Sequence, residues 1–537
     1  MKASLISVSS LTPHFSLTEP ITDPTSKVSL LLGQERLLNA FKLAQSIERQ
    51  YLYIADYPSI NRDYLFQALT DNSIQEEYLY LSGPIRRRDL IGFKDADSKL
   101  WQHGALAQSK TVFICASSLY EKESLWSLLF HVLETGRIEI ATGQSHPLRA
   151  KIILIGSSEL YAGVRYQDFR FNQYFPLLAE LSYEIDINQY EISDYCQWLT
   201  SLATLTGATL NLNSYQSLLS YSAKLTEHQQ RLSLMMNDFS QLMEQAKVYS
   251  ESEAIDQQGI EKALEQKAYR HNSSEIYSAQ SFDDKFINLA TQGEAVGQIN
   301  GLTVIDSIDF CYGEPARITT SVHYGDGEVA DIERKSELGG NIHAKGLMIL
   351  TSCLYRIFGK DEPLHLNANI VFEQSYQEID GDSASLAEYC CLISAIAEKP
   401  ILQSMAITGA LDQLGNVQAI GGVNEKIEGF YNLCARRGLT GTQGVIIPQT
   451  NLLQLNLPKA IIKAVETKTF HIHQVSHMDE AVELLMQMPA GTADEHNNFP
   501  DNSLYGIVQQ RLDKLAGNLD EEFSFFEKLK LKLGLSI

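Results

Sequence analysis

Asp380-Gly-Asp-Ser-Ala-Ser385 sets two carboxylates and two hydroxyls around one glycine, and the chain then turns apolar. Gly381 permits a turn, and Leu386, Tyr389, Leu392, Ile393 and Ile396 fall on one face of a helix. A hydroxyl at such a junction lies beside unpaired backbone N–H groups, which can be capped or can stabilise an oxyanion. Asp382 and Ser383 are common cap residues, so on its own the stretch implies capping. Either serine could be a nucleophile only with a base, and no histidine is close in sequence. Lys426 is the candidate, because a lysine whose pKa burial has lowered is neutral and accepts a seryl proton. In Ala419-Ile-Gly-Gly-Val-Asn-Glu-Lys-Ile-Glu-Gly429, Gly421 and Gly422 predict a tight turn and Asn424 a cap. A helix follows through Ile427, Phe430, Leu433 and Cys434. Lys426 then sits in its first turn, where the helix dipole disfavours a cation.

The elements around these residues divide the chain. Residues 1–188 alternate short apolar runs (Tyr51–Ala55, Thr111–Ala116, Lys151–Gly156) with helical patterns such as Gly33–Ala44 and Ser124–Glu134. That alternation predicts a mainly parallel sheet with covered faces. Residues 189–270 carry apolar residues every three or four positions with almost no Pro or Gly, and Ala223–Glu244 reads as helix throughout. Residues 271–295 begin with the polar run His271–Gln280 and predict a linker. An α+β region spans 296–488, with strands at Gly301–Ile308 and Ala316–Val322 and a helix over Ala344–Tyr355. Residues 489–537 comprise a linker, Pro489–Ser503, and an amphipathic segment, Leu504–Leu533, that docks, forms an oligomer contact or lies on the surface. The fold class is thus multidomain α/β, with three or four domains expected for 537 residues.

Composition narrows the function classes. With 43 Lys and Arg against 66 Asp and Glu, the net charge of −23 excludes non-specific nucleic-acid binding, and Arg86-Arg87-Arg88 is the only compact basic patch. The seven cysteines (115, 196, 311, 353, 390, 391 and 434) never form C-x-x-C and imply reduced thiols. Cys390 and Cys391 lie inside the apolar helix, poor positions for a cysteine nucleophile. The 13 histidines contain no H-E-x-x-H, and His471 and His473 alternate in a strand without a third ligand, so no metal is expected. Met1–Ser10 lacks a signal pattern and no apolar run is long enough to span a bilayer, so a cytoplasmic location is expected, without a membrane.

Asp380-Gly-Asp-Ser-Ala384 and Gly421-Gly-Val-Asn-Glu-Lys426, with Ser383 and Lys426 separated by 43 residues, resemble the paired motifs of the Lon proteases, serine peptidases of the S16 class with a Ser-Lys dyad. The resemblance covers about residues 296–488. It implies that Ser383 rather than Ser385 is the nucleophile, Lys426 the base and Thr408 the residue that orients the lysine. Asp380 matches an acid that restrains the inactive dyad. Met405–Gly421 and Gly444–Pro448 resemble the family's intervening hairpin and next core strand. Gly297–Leu302 and Asp331-Ile-Glu-Arg334 are similar to its membrane-type or archaeal branch, although no transmembrane segment is expected here. The implied activity is endopeptidase cleavage of polypeptides, the implied assembly a homo-oligomeric ring, a hexamer. The alternative is a non-catalytic scaffold or adaptor that keeps the folds.

The order of α/β region, helical subdomain and peptidase further resembles the AAA+ ATPase module fused to Lon proteases, which implies ATP and Mg²⁺. Here the phosphate loop should follow Tyr51–Ala55, but the chain reads Ala55-Asp-Tyr-Pro-Ser-Ile-Asn-Arg-Asp-Tyr64. Pro58 remains, the glycines that let backbone wrap phosphate are gone, Arg62 stands where the lysine belongs, and Asp63 replaces the magnesium-binding hydroxyl. Val112–Ser118 also lacks the acidic pair that would serve magnesium. A degenerate module is expected, with ATP dependence in doubt, cleavage chemistry needing no cofactor, and a partner ATPase as one way to supply unfolding.

Overall fold

The computed structural model describes residues 4–17, 30–73, 78–95, 97–98, 100–141, 144–307, 310–335, 338–359, 364–375 and 379–516. The chain forms two compact units: Phe15–Thr226 with Gln230–Glu265, and Gln266–Ile537 with Met1–His14 and Glu227–Gln229.

In the first unit five strands, β1 (Leu52–Ala55), β2 (Tyr78–Leu81), β3 (Thr111–Cys115), β4 (Lys151–Gly156) and β5 (Leu177–Glu180), form an all-parallel sheet in the order β5-β1-β4-β3-β2. Both faces are covered, as apolar runs with no polar alternation require. Leu52, Ile54, Phe113, Ile153 and Ile155 join one core with Trp198, Leu202 and Phe239 of the helical part. Tyr53, Val112, Ile114, Ile152 and Leu154 join another, under Trp126 and Leu129. Helices α1 (Glu35–Ser46), α2 (Arg62–Ser73) and α3 (Glu123–Thr135) belong to the α/β part, and α4 (Ile192–Leu205), α5 (Ser214–Leu225) and α6 (Met236–Tyr249) to the helical part. The helix expected throughout Ala223–Glu244 is broken. Between α5 and α6, Arg231–Ser233 pairs antiparallel with Glu184–Asp186, which buries Leu232 and Leu234 where a continuous helix would interrupt that pairing.

The second unit is built on an eight-stranded mixed sheet. Its strands are Ser4–Leu5, β6 (Gln298–Ser307), β7 (Phe310–Tyr324), β8 (Val329–Asp331), β9 (Leu366–Glu373), β10 (Met405–Ile407), β11 (Gly444–Pro448) and β12 (His471–Val475). The order is Ser4–Leu5, β12-β11-β10-β6-β7-β9-β8, with β6, β10, β11 and β12 mutually parallel. Residues 271–295, expected as linker, carry a helix, α7 (Ser273–Asp283), anchored by the buried Phe282. The polar stretch hid that single anchor. Helices α8 (Asn341–Phe358) and α9 (Ser385–Ala397) cover one sheet face, while α10 (Val423–Arg437) covers the other. Every residue of α9 except Ala395 is buried, the polar Ser385, Glu388 and Ser394 among them. It is packed by α8, by α11 (Met478–Met486) and by α12 (Leu504–Ala516), whose Leu504, Tyr505, Val508 and Leu512 enter the core. The terminal amphipathic segment therefore docks in its described part, and 517–537 lie outside the described residues. Residues 489–503 form no helix or strand.

Candidate active site

The two motifs meet because β10 is flanked by helices on opposite faces. The segment before α9 passes the end of β10 on one side, and the first turn of α10 passes it on the other. The Ser383 carbonyl accepts the Gly409 N–H at 2.9 Å and the Thr408 hydroxyl at 3.2 Å, so the loop is pinned to the strand end. Gly409 must be glycine, since a Cβ there would stand 2.8 Å from Leu386 Cδ2 and 2.9 Å from Val417 Cγ1. Neither Asp382 nor Ser383 caps α9 with its side chain. Ser385 does the local structural work: its hydroxyl donates to the Asp382 carbonyl at 2.8 Å and accepts the Leu411 N–H at 3.0 Å.

Lys426 enters from the first turn of α10. Gly422 takes a left-handed φ of 64° to start that helix, and a Cβ on it would meet Val304 at 2.5 Å. Asn424, expected as the cap, lies inside the helix; its side chain holds the Gln454 carbonyl and the Asn456 N–H instead. Lys426 is 3 % exposed, and its amine lies 2.9 Å from Ser383 Oγ and 3.3 Å from Thr408 Oγ1. Burial lowers its pKa from 10.5 to about 8, against the opposing pull of the Asp382 charge. Among the described residues no carboxylate pairs with it, so burial shifts the amine toward its neutral form. Ser383 itself is half-buried. The N–H groups of Ser383 and Ala384 donate to no group among the described residues, which leaves them available to a carbonyl oxygen.

Among the described residues Asp380 has no hydrogen bond to Ser383, Thr408 or Lys426 and instead binds the start of α8. Its Oδ1 accepts the Ile342 and His343 N–H groups at 3.1 and 3.3 Å, at the start of α8, and backbone hydrogen bonds, Gly381's foremost, lower its pKa. Gly340 makes room, because a Cβ there would fall 2.4 Å from that oxygen.

In the first unit the segment expected to form a phosphate loop carries Arg62 into a cluster of side chains. Arg62, in the first turn of α2, reaches across the carboxyl ends of three strands. It donates to Asp56 Oδ2 after β1 (2.8 Å), to the Tyr80 hydroxyl on β2 (2.9 Å) and to Cys115 Sγ at the end of β3 (3.2 Å). Burial opposes its charge, but Asp56 and Tyr80 overcome this and raise its pKa. Burial likewise opposes the Cys115 thiolate, yet hydrogen bonds from Ser117, Ser118 and Arg62 bring that thiol down to about 7. Pro58 and Asp63 are exposed. Asp56, Tyr80 and Cys115 carried no sequence signal; only an unexplained arginine at that position pointed to them.

A parallel sheet with a helical part, joined in one chain to a mixed-sheet unit that buries a lysine against a serine, defines the class: an AAA-like module with a Lon-type proteolytic domain. Residues 359–488 match the Lon protease (S16) C-terminal proteolytic domain, 72–182 the LonB-like AAA domain, and 213–270 the archaeal LonB AAA+ ATPase LID domain. Ser383, Thr408 and Lys426 fall inside the first match, whereas the AAA match begins beyond Arg62. The chain is 35% identical over 437 residues to the "Putative Lon protease homolog" of Haemophilus influenzae, covering 78% of this chain and 72% of that protein. It is also 35% identical over 400 residues to the protein of the same name from Escherichia coli K12, covering 71% and 67%. An archaeal Lon protease of Methanocaldococcus jannaschii is 43% identical over 129 residues, 24% of this chain and 17% of that protein. The chain belongs to the Lon protease family. Among the described residues no helix is long and apolar enough to cross a membrane.

Proposed function

We propose that the chain is a serine endopeptidase that hydrolyses peptide bonds of polypeptides with Ser383 as nucleophile and Lys426 as general base. The observation that carries this reading is the buried Lys426 amine at 2.9 Å from Ser383 Oγ, with a pKa of about 8. The neutral amine takes the hydroxyl proton as Oγ attacks the substrate carbonyl, and the oxyanion receives the N–H groups near Ala384. Collapse returns the proton from Lys426 to the leaving amine and leaves an acyl-enzyme on Ser383. Water then attacks, giving its proton to Lys426, and the acyl–oxygen bond to Ser383 breaks with the hydroxyl restored. Thr408 orients the amine through its own 3.3 Å contact.

In the same reading nucleotide is not needed for cleavage, because Arg62 with Asp56 occupies the strand ends where phosphates would bind. A homo-oligomeric ring, a hexamer in cytoplasm, is the assembly that family membership favours, with unfolding supplied by the substrate's own disorder or by a partner ATPase. Cleavage of an unfolded casein by the purified full chain tests the proposal. Activity should be present without ATP and absent in Ser383→Ala. Wild-type cleavage no faster than Ser383→Ala would refute the assignment, and turnover of ATP with tight binding would refute its nucleotide independence. Light-scattering mass gives the ring size.

A further inference from the structure

We propose that Asp331, His343 and Glu388 bind one divalent transition-metal ion of the zinc class, buried in the proteolytic unit and separate from Ser383 and Lys426. The three side chains come from three elements: the end of β8, the first turn of α8 and the first turn of α9. Each offers one ligand atom, and these atoms lie within 4.8 Å of one another. His343 Nε2 stands 2.6 Å from Asp331 Oδ2 and 3.7 Å from Glu388 Oε1. Their side chains are 2 %, 0 % and 1 % exposed.

The independent pointer to a ligand is Glu388. Its Oε1 is buried and has no hydrogen-bond partner among the described residues, and it is aimed at the imidazole. Buried carboxylate oxygens without a donor are costly and rare. Asp331 is prepared for the same role: its Oδ1 accepts the Glu333 N–H at 2.9 Å, which fixes the carboxylate and leaves Oδ2 facing the imidazole. The His343 ring is held edge-on against Phe372. A divalent cation ligated by the imidazole would offset the charge of the Asp331 and Glu388 carboxylates and supply the partner that Oε1 lacks.

One nitrogen and two carboxylate oxygens suit zinc, with manganese and iron as weaker competitors. Metal–ligand bonds of about 2.0–2.2 Å need ligand atoms roughly 3.0–3.5 Å apart. Binding therefore widens the 2.6 Å pair and draws Glu388 inward, movements a side-chain torsion supplies, and the proton shared by His343 and Asp331 leaves to solvent. The ion would tie β8 to both helices that flank the nucleophile segment. His343 also gives its backbone N–H to Asp380, and α9 begins two residues after Ser383. Ligands 12 and 45 residues apart on a strand end and two helices leave no sequence motif.

Elemental analysis of the full chain, purified untagged and without chelator, should give about one zinc per chain. After chelator treatment, Zn²⁺ should raise the melting temperature by several degrees, and Co²⁺ should produce a one-to-one visible band that Zn²⁺ displaces. Glu388→Gln should weaken Zn²⁺ binding at least tenfold while the chain stays folded by circular dichroism, and His343→Gln with Glu388→Gln should abolish the cobalt band. No stoichiometric zinc, or equal zinc in the wild type and the double variant, overturns the site. If the double variant does not fold, the cobalt titration of wild-type protein decides alone, and absence of a band overturns it. None of these readings uses peptidase activity, so they stand apart from the fate of the Ser383 assignment.

Discussion

The two units treat a cation at a strand end, buried in one and half-buried in the other, in opposite ways. At the end of β10 the Lys426 amine meets two hydroxyls and, among the described residues, no paired carboxylate, so burial drives its pKa down to about 8. At the ends of β1, β2 and β3 the Arg62 guanidinium meets Asp56, whose side chain is 8 % exposed, together with Tyr80 and Cys115, so it is locked in the charged form. Burial without a compensating charge favours the neutral amine, whereas a guanidinium paired with a carboxylate stays charged. The choice of side chain fits each outcome: lysine shifts readily on burial, and arginine does not deprotonate.

The comparison breaks most easily at Lys426. Lys426→Ala should lower casein cleavage on the order of 10⁴-fold, as losing a general base from an acyl-transfer pair does. Lys426→Met should do the same yet make the unit more stable at pH 7, by about 1–3 kcal/mol, because the buried amine no longer has to be accommodated. Urea titrations of the two proteins would measure it; a Met variant less stable than wild type would mean that the amine is a net stabiliser. The Arg62–Asp56 pair predicts the reverse. Arg62→Met should destabilise its unit by about 2 kcal/mol by leaving Asp56 unpaired, and Asp56→Asn added to it should recover part of that loss. Additive losses in the double variant would show that the pair is not coupled.

The Ser383 and Lys426 motifs were legible in the sequence because each is short, local and placed at a helix start. So were the runs that became β1, β3 and β4, whose apolar residues follow one another without a break. What the sequence concealed is whatever depends on strand order. Asp56, Tyr80 and Cys115 are separated along the chain and converge on Arg62 only because β1, β3 and β2 present their carboxyl ends together. The same reason hides Asp331, His343 and Glu388. Local signals failed elsewhere by competition: the helical spacing of Ala223–Glu244 persists across a segment that pairing with Glu184–Asp186 holds extended, and Asn424, a good cap by type, is used inside α10 by the Gln454–Asn456 loop.

A subtler effect sharpens the contrast through pH. Lys426 must be neutral to act, so kcat/KM should rise with pH to a midpoint near 8 and level off above it. The same shift has a stability sign. Between about 8 and 10.5 the unfolded chain holds the proton that the folded chain has released, so folding stability should increase with pH across that window. Lys426→Met should flatten this slope, and Arg62→Met should leave it unchanged.

Thr408→Ala should give the smallest change. It removes one of two oxygen contacts to the amine and the hydroxyl bond to the Ser383 carbonyl, while Gly409 N–H still holds that carbonyl. The amine should keep its distance to Ser383 but sample more orientations, lowering kcat about tenfold with KM little altered. Loss of a hydroxyl that accepts from the ammonium should also move the midpoint of the pH profile downward. Thr408→Ser, which restores the oxygen, should return both values; a Ser variant as slow as the Ala variant would assign the threonine a packing role instead.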